Sequence, residues 1–193
     1  MTVLTKTYSA PPINEQEILR YAGVSRVTEE INLLLHECIE LCVDKLSYKV
    51  CYREFDISFE DKCVNLGFAK TQSKDIRKNL DGCNKIVLFG ATLGSNLDRM
   101  IAKYGAISPS KAFMLQAIGT ERIEALCNTF NNEISNKASV APRFSPGYGD
   151  LPLELQKDIF LSLDCARKIG LTLNQSLLMS PTKSVTAVIG IRN

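Results

Sequence analysis

Two hydrophobic spacings alternate along this chain and predict interleaved helices and strands. From Thr28 to about residue 46, apolar residues recur three and four positions apart, and Thr28 followed by two glutamates is typical of a helix start. Between residues 47 and 59 the apolar residues come at every second position, which indicates a strand. The run Ile86–Phe89 is apolar throughout and favours a strand that is buried on both faces. The pattern therefore predicts a mixed fold.

Polar residues mark the starts of three further helices. Ser73 is predicted to cap a short helix, and Ser95 with Asp98 occupies the positions of a capping-box-like pair. Ser108 followed by Pro109 is predicted to begin a long helix that runs toward residue 131, because proline suits the first helical position. These starts place helices between and after the predicted strands.

The C-terminal half is predicted to contain one more helix and a strand-turn-strand unit. Asp150 and Pro152 introduce an amphipathic stretch that Gly170 is expected to stop. The apolar segment 177–179 is interpreted as a strand and 180–184 as a turn. The β-branched segment 185–191 is then expected to be a strand in the middle of the sheet.

Length and charge narrow the class of protein. A chain of 193 residues with 45% hydrophobic content fits a single domain, 1–193, with a helical N-terminal part at about 1–46 and a candidate lobe boundary near 131–141. The net charge of +2 is spread along the chain, so no nucleic-acid partner is expected. The sequence has neither a leader-like start nor an apolar run of membrane-spanning length, which predicts a cytoplasmic protein with no membrane partner.

The seven cysteines and the single histidine do not form a recognisable reactive set. No Cys-x-x-Cys pair occurs, and most of the cysteines stand among apolar residues, so they are expected to be reduced and packed in the core. His36 falls on the face of its helix opposite the apolar stripe and is expected to face solvent. The sequence therefore predicts no metal site and no catalytic residue.

The segment from Arg143 to Asp150 is the strongest candidate for a binding site. Pro146 and Gly147 suit the second and third positions of a type II turn. Arg143 could hold a carboxylate with two parallel hydrogen bonds, and Tyr148 offers a ring face to a cation. A helix N-terminus after Asp150 would also attract an anion. The alternative interpretation is an arginine that holds a surface loop over a packed tyrosine.

Two other segments favour structural interpretations. The loop Gly90–Gly94 lacks the Gly-Lys-Ser/Thr ending of a nucleotide loop, so it is interpreted as a turn between a strand and a helix. Lys183 lies in the predicted turn 180–184, where lysines are usually solvated. Neither segment competes with the Arg143–Asp150 segment as a ligand site.

The last 50 positions or so contain an ordered set of residues at characteristic spacings. They are Arg143, Pro146, Gly147 and Tyr148, followed by Leu173, Ser176, Met179, Pro181, Ser184 and Val185. Their order and spacing resemble the reactivation domain of cobalamin-dependent methionine synthase. The segment Val87–Gly94 and the helix-rich start resemble the free-standing relatives of that domain as well.

The resemblance implies an α+β fold with a bent, mainly antiparallel sheet flanked by helices, and a groove that binds S-adenosylmethionine. Arg143 would meet the methionyl carboxylate, the turn at Ser145, Pro146 and Gly147 would offer backbone contacts, and Tyr148 would lie near the ligand. The family function is to restore oxidised cobalamin to methylcobalamin. The cobalamin would be held by a methionine synthase module in trans, and one electron would come from a flavodoxin-like donor.

The resemblance leaves two family features unassigned, namely an acidic residue near the ligand and a further tyrosine beyond the strand of Ser184 and Val185. The absence of an acid-base constellation agrees with methyl transfer from a sulfonium to cobalt, which requires mainly positioning and electrostatics. Two alternatives stay open. One is a regulatory module that keeps the fold and the groove, and the other is an unrelated small-molecule enzyme that shares only the turn.

Overall fold

The computed structural model describes residues 2–192, which form seven α-helices and ten β-strands. The helices are α1 Glu15–Tyr21, α2 Glu29–Cys42, α3 Lys74–Asn79, α4 Asn96–Ile107, α5 Pro109–Ser135, α6 Gln156–Leu163 and α7 Cys165–Ile169. The strands are β1 Leu4–Tyr8, β2 Tyr48–Asp56, β3 Ser58–Phe59, β4 Val64–Asn65, β5 Lys70–Thr71, β6 Cys83–Thr92, β7 Ser139–Val140, β8 Thr172–Leu173, β9 Met179–Ser180 and β10 Ser184–Arg192.

The main sheet has five strands in the order β1-β2-β6-β10-β7, and every neighbouring pair is antiparallel. The longest pairing joins β6 and β10, from Ser184 opposite Thr92 to Arg192 opposite Cys83, with a register shift between Ile191 and Arg192. β10 therefore has a neighbour on each side, although β7 is only two residues long. The fold is α+β with a curled antiparallel sheet, which confirms the predicted fold class.

Strand β6 supplies both hydrophobic cores because successive side chains of a strand point to opposite faces. Val87 and Phe89 pack into one core, while Ile86 and Leu88 pack into the other, and all four are completely buried. This confirms the prediction that the run is buried on both faces. The sheet thus lies between two helical layers.

The first layer contains residues of α1, α2, α4 and α5, and the second contains residues of α3, α6 and α7. Helix α5 is 27 residues long and begins with Pro109 in its first turn, as predicted. It ends at Ser135, beyond the expected end near residue 131. Strand β7 then joins the sheet within the segment predicted as a lobe boundary near 131–141, and the boundary itself stays a prediction.

The predicted helix caps differ in their outcomes. The Thr28 and Ser73 side chains accept hydrogen bonds from the Ile31 and Ile76 amides at 3.3 and 3.1 Å, which confirms both caps. Ser95 is the N-cap residue of α4, as predicted, but its side chain forms no capping bond. Asp98 instead accepts hydrogen bonds from the amide and hydroxyl groups of Thr182, 84 positions away. A tertiary contact has replaced the local one.

The N-terminal part, predicted as helical over 1–46, also supplies the edge strand β1. The chain then crosses α5, where Arg122 donates to the carbonyl oxygens of Pro11 and Pro12 at 2.6 and 2.7 Å. The Arg122 side chain is 1% exposed and is paired with Glu121. This buried ion pair fixes the path of the N-terminal segment over the helix.

The segment 177–179, predicted as a strand, is mostly the end of a hairpin turn. Leu177 has a φ of +60°, which a strand excludes, and only Met179 belongs to β9. Pairing of β9 with β8 forms a short hairpin of its own. The helix before it is also interrupted, because Asp164 has a φ of +49° between α6 and α7, whereas Gly170 ends α7 as predicted.

The cysteines form no disulfides, and six of the seven are buried, with Cys63 partly exposed. Their burial confirms the prediction that they pack mainly in the core, and their reduced state stays a prediction. His36 is exposed and lies 3.2 Å from a carboxylate oxygen of Glu15, as expected for a solvent-facing residue. Within residues 2–192, no helix is both long enough and apolar enough to cross a membrane.

Candidate functional site

The loop after β7 contains the predicted type II turn. The Tyr148 amide donates to the Ser145 carbonyl oxygen at 3.2 Å, and Gly147 has a φ of +89° at the third position of the turn. Pro146 is buried at the second position. The Gly147 amide also donates to the Leu151 carbonyl oxygen at 2.9 Å, so the bend is closed at both ends.

Asp150 does not begin its own helix, which corrects the prediction made from sequence. A 3-10 turn spans Leu153–Leu155, and α6 begins only at Gln156. The Asp150 carboxylate instead accepts hydrogen bonds from the Ser73 hydroxyl and from the amides of Lys74 and Asp75, the latter two at 2.8 and 3.1 Å. These bonds lower the pKa of Asp150 below its usual value, the Ser73 bond first. The loop therefore caps α3.

Arg143 is held between the sheet and helix α5. The next residue, Phe144, forms an isolated β-bridge with Val188 of β10, which ties this part of the loop to the sheet. From there Nη2 of Arg143 donates to Oε2 of Glu124 on α5 at 2.8 Å. The Arg143 side chain is 23% exposed and that of Glu124 is 39% exposed, so the pair is shielded but reachable.

A groove of about 380 Å³ opens beside this ion pair. Its walls come from α5, the loop, the start of α6, the β8-β9 hairpin and the first residues of β10. The lining residues are Glu124, Arg143, Phe144, Ser145, Tyr148, Gln156, Met179, Ser184, Val185 and Thr186. The volume falls in the range typical of small-molecule sites.

Three polar atoms of this lining are buried and have no hydrogen-bond partner among the described residues. They are Nη1 of Arg143, Oε1 of Gln156 and Oγ1 of Thr186. A buried polar group without a partner costs roughly 1–3 kcal/mol. By contrast, Ser184 donates to the Pro181 carbonyl oxygen at 2.8 Å and is satisfied. A ligand with polar groups at these positions would remove the cost.

The structure brings together some of the predicted site residues and excludes others from the lining. Arg143, Ser145 and Tyr148 line the groove, whereas Pro146 and Gly147 shape the turn without lining it. Residues that carried the family resemblance also line the groove from a different part of the chain. These are Met179, Ser184 and Val185.

Three functional candidates were missed from the sequence, namely Glu124, Gln156 and Thr186. Glu124 lies on the polar side of a predicted helix, where nothing local distinguishes it from other glutamates. Gln156 offered a signal in the sequence, because it stands beside Leu155 at the head of an apolar stripe. In the structure it is only 5% exposed. An amide next to a predicted core position is a candidate for a ligand contact or a buried hydrogen bond.

The groove presents a cation, a carboxylate, an amide and a hydroxyl group around an apolar floor that includes Phe144 and Met179. Such a set can bind a zwitterionic ligand. Cys127 is buried, and its burial raises the pKa of the thiol to about 12, so it is not a nucleophile at neutral pH. Among residues 2–192, no cluster of three or more potential metal-ligating side chains occurs.

Comparison with known proteins shows a structural likeness. No family of known proteins matches the sequence, and no curated protein matches it with significance. A crystal structure of the MetH reactivation domain bound to AdoHcy has a similar fold, with a TM-score of 0.73 and 13% sequence identity. The match covers all of this chain and 79% of that domain. The chain therefore has the fold of the methionine synthase reactivation domain.

Proposed function

We propose that this protein is an S-adenosylmethionine-binding reactivation subunit that acts on a cobalamin-dependent methionine synthase. The observation that carries the proposal is the unpartnered Nη1 of Arg143, which lies beside the Glu124 carboxylate in a groove. The similar structure, a domain bound to AdoHcy, has the same fold. Together they support a ligand that ends in an amino acid group.

Each polar atom of the groove has a counterpart in such a ligand. Arg143 would receive the carboxylate through Nη1, and the Glu124 carboxylate would balance the ammonium group. Gln156 and Thr186 would meet further donors and acceptors, which would end their burial without partners. The ring of Tyr148 would face the positive sulfonium.

In this reaction the chain has to bind S-adenosylmethionine and orient its methyl group. S-adenosylmethionine would supply an activated methyl group to the cobalt of a cobalamin that another module holds and that the electron donor has reduced. S-adenosylhomocysteine would be the leaving group. The protein must hold the sulfonium in line with that acceptor and keep water away, which needs no general acid or base. The cobalamin module in trans and the flavodoxin-like electron donor are the partners that this proposal requires.

The first test is calorimetric titration with S-adenosylhomocysteine and S-adenosylmethionine. The wild-type protein is expected to bind one equivalent, and Arg143→Ala is expected to weaken binding by a factor of ten or more, about 1.4 kcal/mol. Arg167→Ala is the matched control, because that arginine pairs with Asp164 on the surface and lies outside the groove lining. It is expected to leave the affinity unchanged.

A reactivation assay with a cobalamin-loaded methionine synthase module then tests the second half of the proposal. Restored activity that depends on S-adenosylmethionine and is lost in Arg143→Ala is the expected result. Binding without any methyl transfer to the reduced cobalamin would support the regulatory alternative instead. If neither ligand binds and the two arginine variants behave alike, the proposal is wrong.

A further inference from the structure

A second cavity, of about 480 Å³, adjoins the groove and shares two aromatic residues with it. Phe144 and Tyr148 line both spaces, and the Tyr148 ring is 68% exposed. The other walls are the C-terminal end of α3, with Lys78 and Asn79, and the end of β10, with Arg192. None of these three residues belongs to the lining of the groove.

The walls of the second cavity are joined by hydrogen bonds, so the cavity is preformed. The Asn79 side-chain amide donates to the Pro142 carbonyl oxygen at 3.1 Å, which links α3 to the loop. At the other end, the Asp150 amide donates to Oδ2 of Asp75 at 3.1 Å while the Asp150 carboxylate caps α3. A ligand would therefore bind without first ordering this part of the chain.

The charges around the second cavity are mainly positive. Within residues 2–192, no carboxylate lies within salt-bridge distance of Lys78 or Arg192, whereas other lysines and arginines on the surface form ion pairs. Asp75 also lines the cavity, but its carboxylate accepts the Asp150 amide and lies against Gly149. Two cations thus stand at the edge of a mostly apolar space floored by aromatic rings.

From this combination we infer a second ligand site, which binds a small planar aromatic anion such as an aromatic carboxylate or sulfonate. The ring would stack against Phe144 and Tyr148, and the anionic group would meet Lys78 and Arg192. The volume of the cavity accommodates two fused rings with a substituent. The inference does not depend on S-adenosylmethionine binding, because its anion contacts are Lys78 and Arg192 rather than Arg143. Phe144 and Tyr148 are nevertheless shared with the groove.

The test uses 8-anilinonaphthalene-1-sulfonate as the probe, and its fluorescence is measured as the probe is titrated with the protein. The wild-type protein is expected to bind one equivalent, and Lys78→Ala/Arg192→Ala is expected to weaken the Kd at least tenfold. Arg99→Ala/Lys103→Ala is the matched control, because it removes the same charge from the exposed face of α4. Arg143→Ala tests whether the probe binds in the first groove instead. Both of these variants are expected to bind the probe as the wild type does.

Three results would overturn the inference. Equal affinity of the wild type and Lys78→Ala/Arg192→Ala would remove the role of the two cations. Equal weakening in the two double variants would reduce the effect to net charge, and weakening in Arg143→Ala would place the probe in the first groove. Thermal unfolding checks that the double variant is folded. If the double variant is unfolded, the single variant Lys78→Gln replaces it, because the exposed Lys78 side chain has no described hydrogen bond. Equal affinity of Lys78→Gln and the wild type for the probe would then overturn the inference.

Discussion

Glu124 and Arg143 are joined by a hydrogen bond of 2.8 Å between Oε2 and Nη2, which connects helix α5 to the loop that lines the groove. The second amino group of the guanidinium is buried and has no partner among the described residues. The arginine is therefore oriented by one carboxylate and available to another. The Glu124 side chain is therefore expected to contribute to ligand binding in its own right.

Glu124→Gln is expected to weaken the binding of S-adenosylhomocysteine by roughly fivefold, or about 1 kcal/mol. The carboxylate is partly exposed, so its attraction for an ammonium group is reduced by solvent. Calorimetry measures the change. The control ligand is 5′-methylthioadenosine, which lacks both the amine and the carboxylate, and its affinity is expected to change by less than twofold. An equal loss for both ligands would contradict a role toward the amino acid group.

Gly147→Ala is expected to destabilise the protein by about 1–2 kcal/mol, because an L-residue is strained at a φ of +89°. The added methyl group would also lie 3.3 Å from Cδ1 of Leu153. Urea unfolding measures the difference. Gly105→Ala is the matched control, since that glycine lies inside α4 with open space around it, and the change should stabilise by about 0.5–1 kcal/mol. Equal effects would contradict the turn assignment.

Arg122→Met is expected to destabilise the protein by about 3–5 kcal/mol, since it leaves the buried Glu121 carboxylate without its partner. Urea unfolding again gives the value. The double variant Glu121→Gln/Arg122→Met is expected to recover part of the loss. Arg20→Ala breaks an exposed pair with Glu17, so it should change the free energy of unfolding far less than Arg122→Met does. A small effect of Arg122→Met would show that the N-terminal segment is held by other contacts.

The capping of α3 by Asp150 is expected to depend on pH. The pKa of this carboxyl is lower in the folded protein than in the unfolded chain, where it is about 3.9. Its contribution to stability is therefore complete above the unfolded pKa and is lost as the pH falls through the folded pKa. Urea midpoints of the wild type and Asp150→Asn should differ fully at pH 6, begin to approach each other near pH 4, and coincide only below the folded pKa. A difference that is constant with pH would contradict this role.

Features that depend on neighbouring residues could be predicted from the sequence. The type II turn follows from the φ preferences of Pro146 and Gly147, and the two-faced burial of β6 follows from its unbroken apolar run. The cap at Ser73 is likewise a contact over three positions. The placement of Arg143 and Tyr148 in one groove follows from their positions on either side of the bend.

Features that depend on distant residues could not be predicted. Asp150 was expected to begin the next helix, yet its partners lie about 75 positions earlier in the chain. Asp98 likewise binds Thr182 rather than its own helix start. Glu124 became a site residue only when the sheet brought the loop beside α5. Local chemistry shows that a carboxylate needs a partner but does not select which one.

The bonds from Asp150 to the amides of Lys74 and Asp75 connect the hydrogen exchange of α3 to opening of the groove loop. A helix of six residues is too short to persist by itself, so its first amides exchange with solvent when that carboxylate departs. The two amides lie outside the groove lining and thus report how often the loop opens. A ligand that bridges the loop and α5 would slow hydrogen exchange at these two amides in proportion to its occupancy. The exchange rates of the α3 cap would therefore measure ligand binding in the groove.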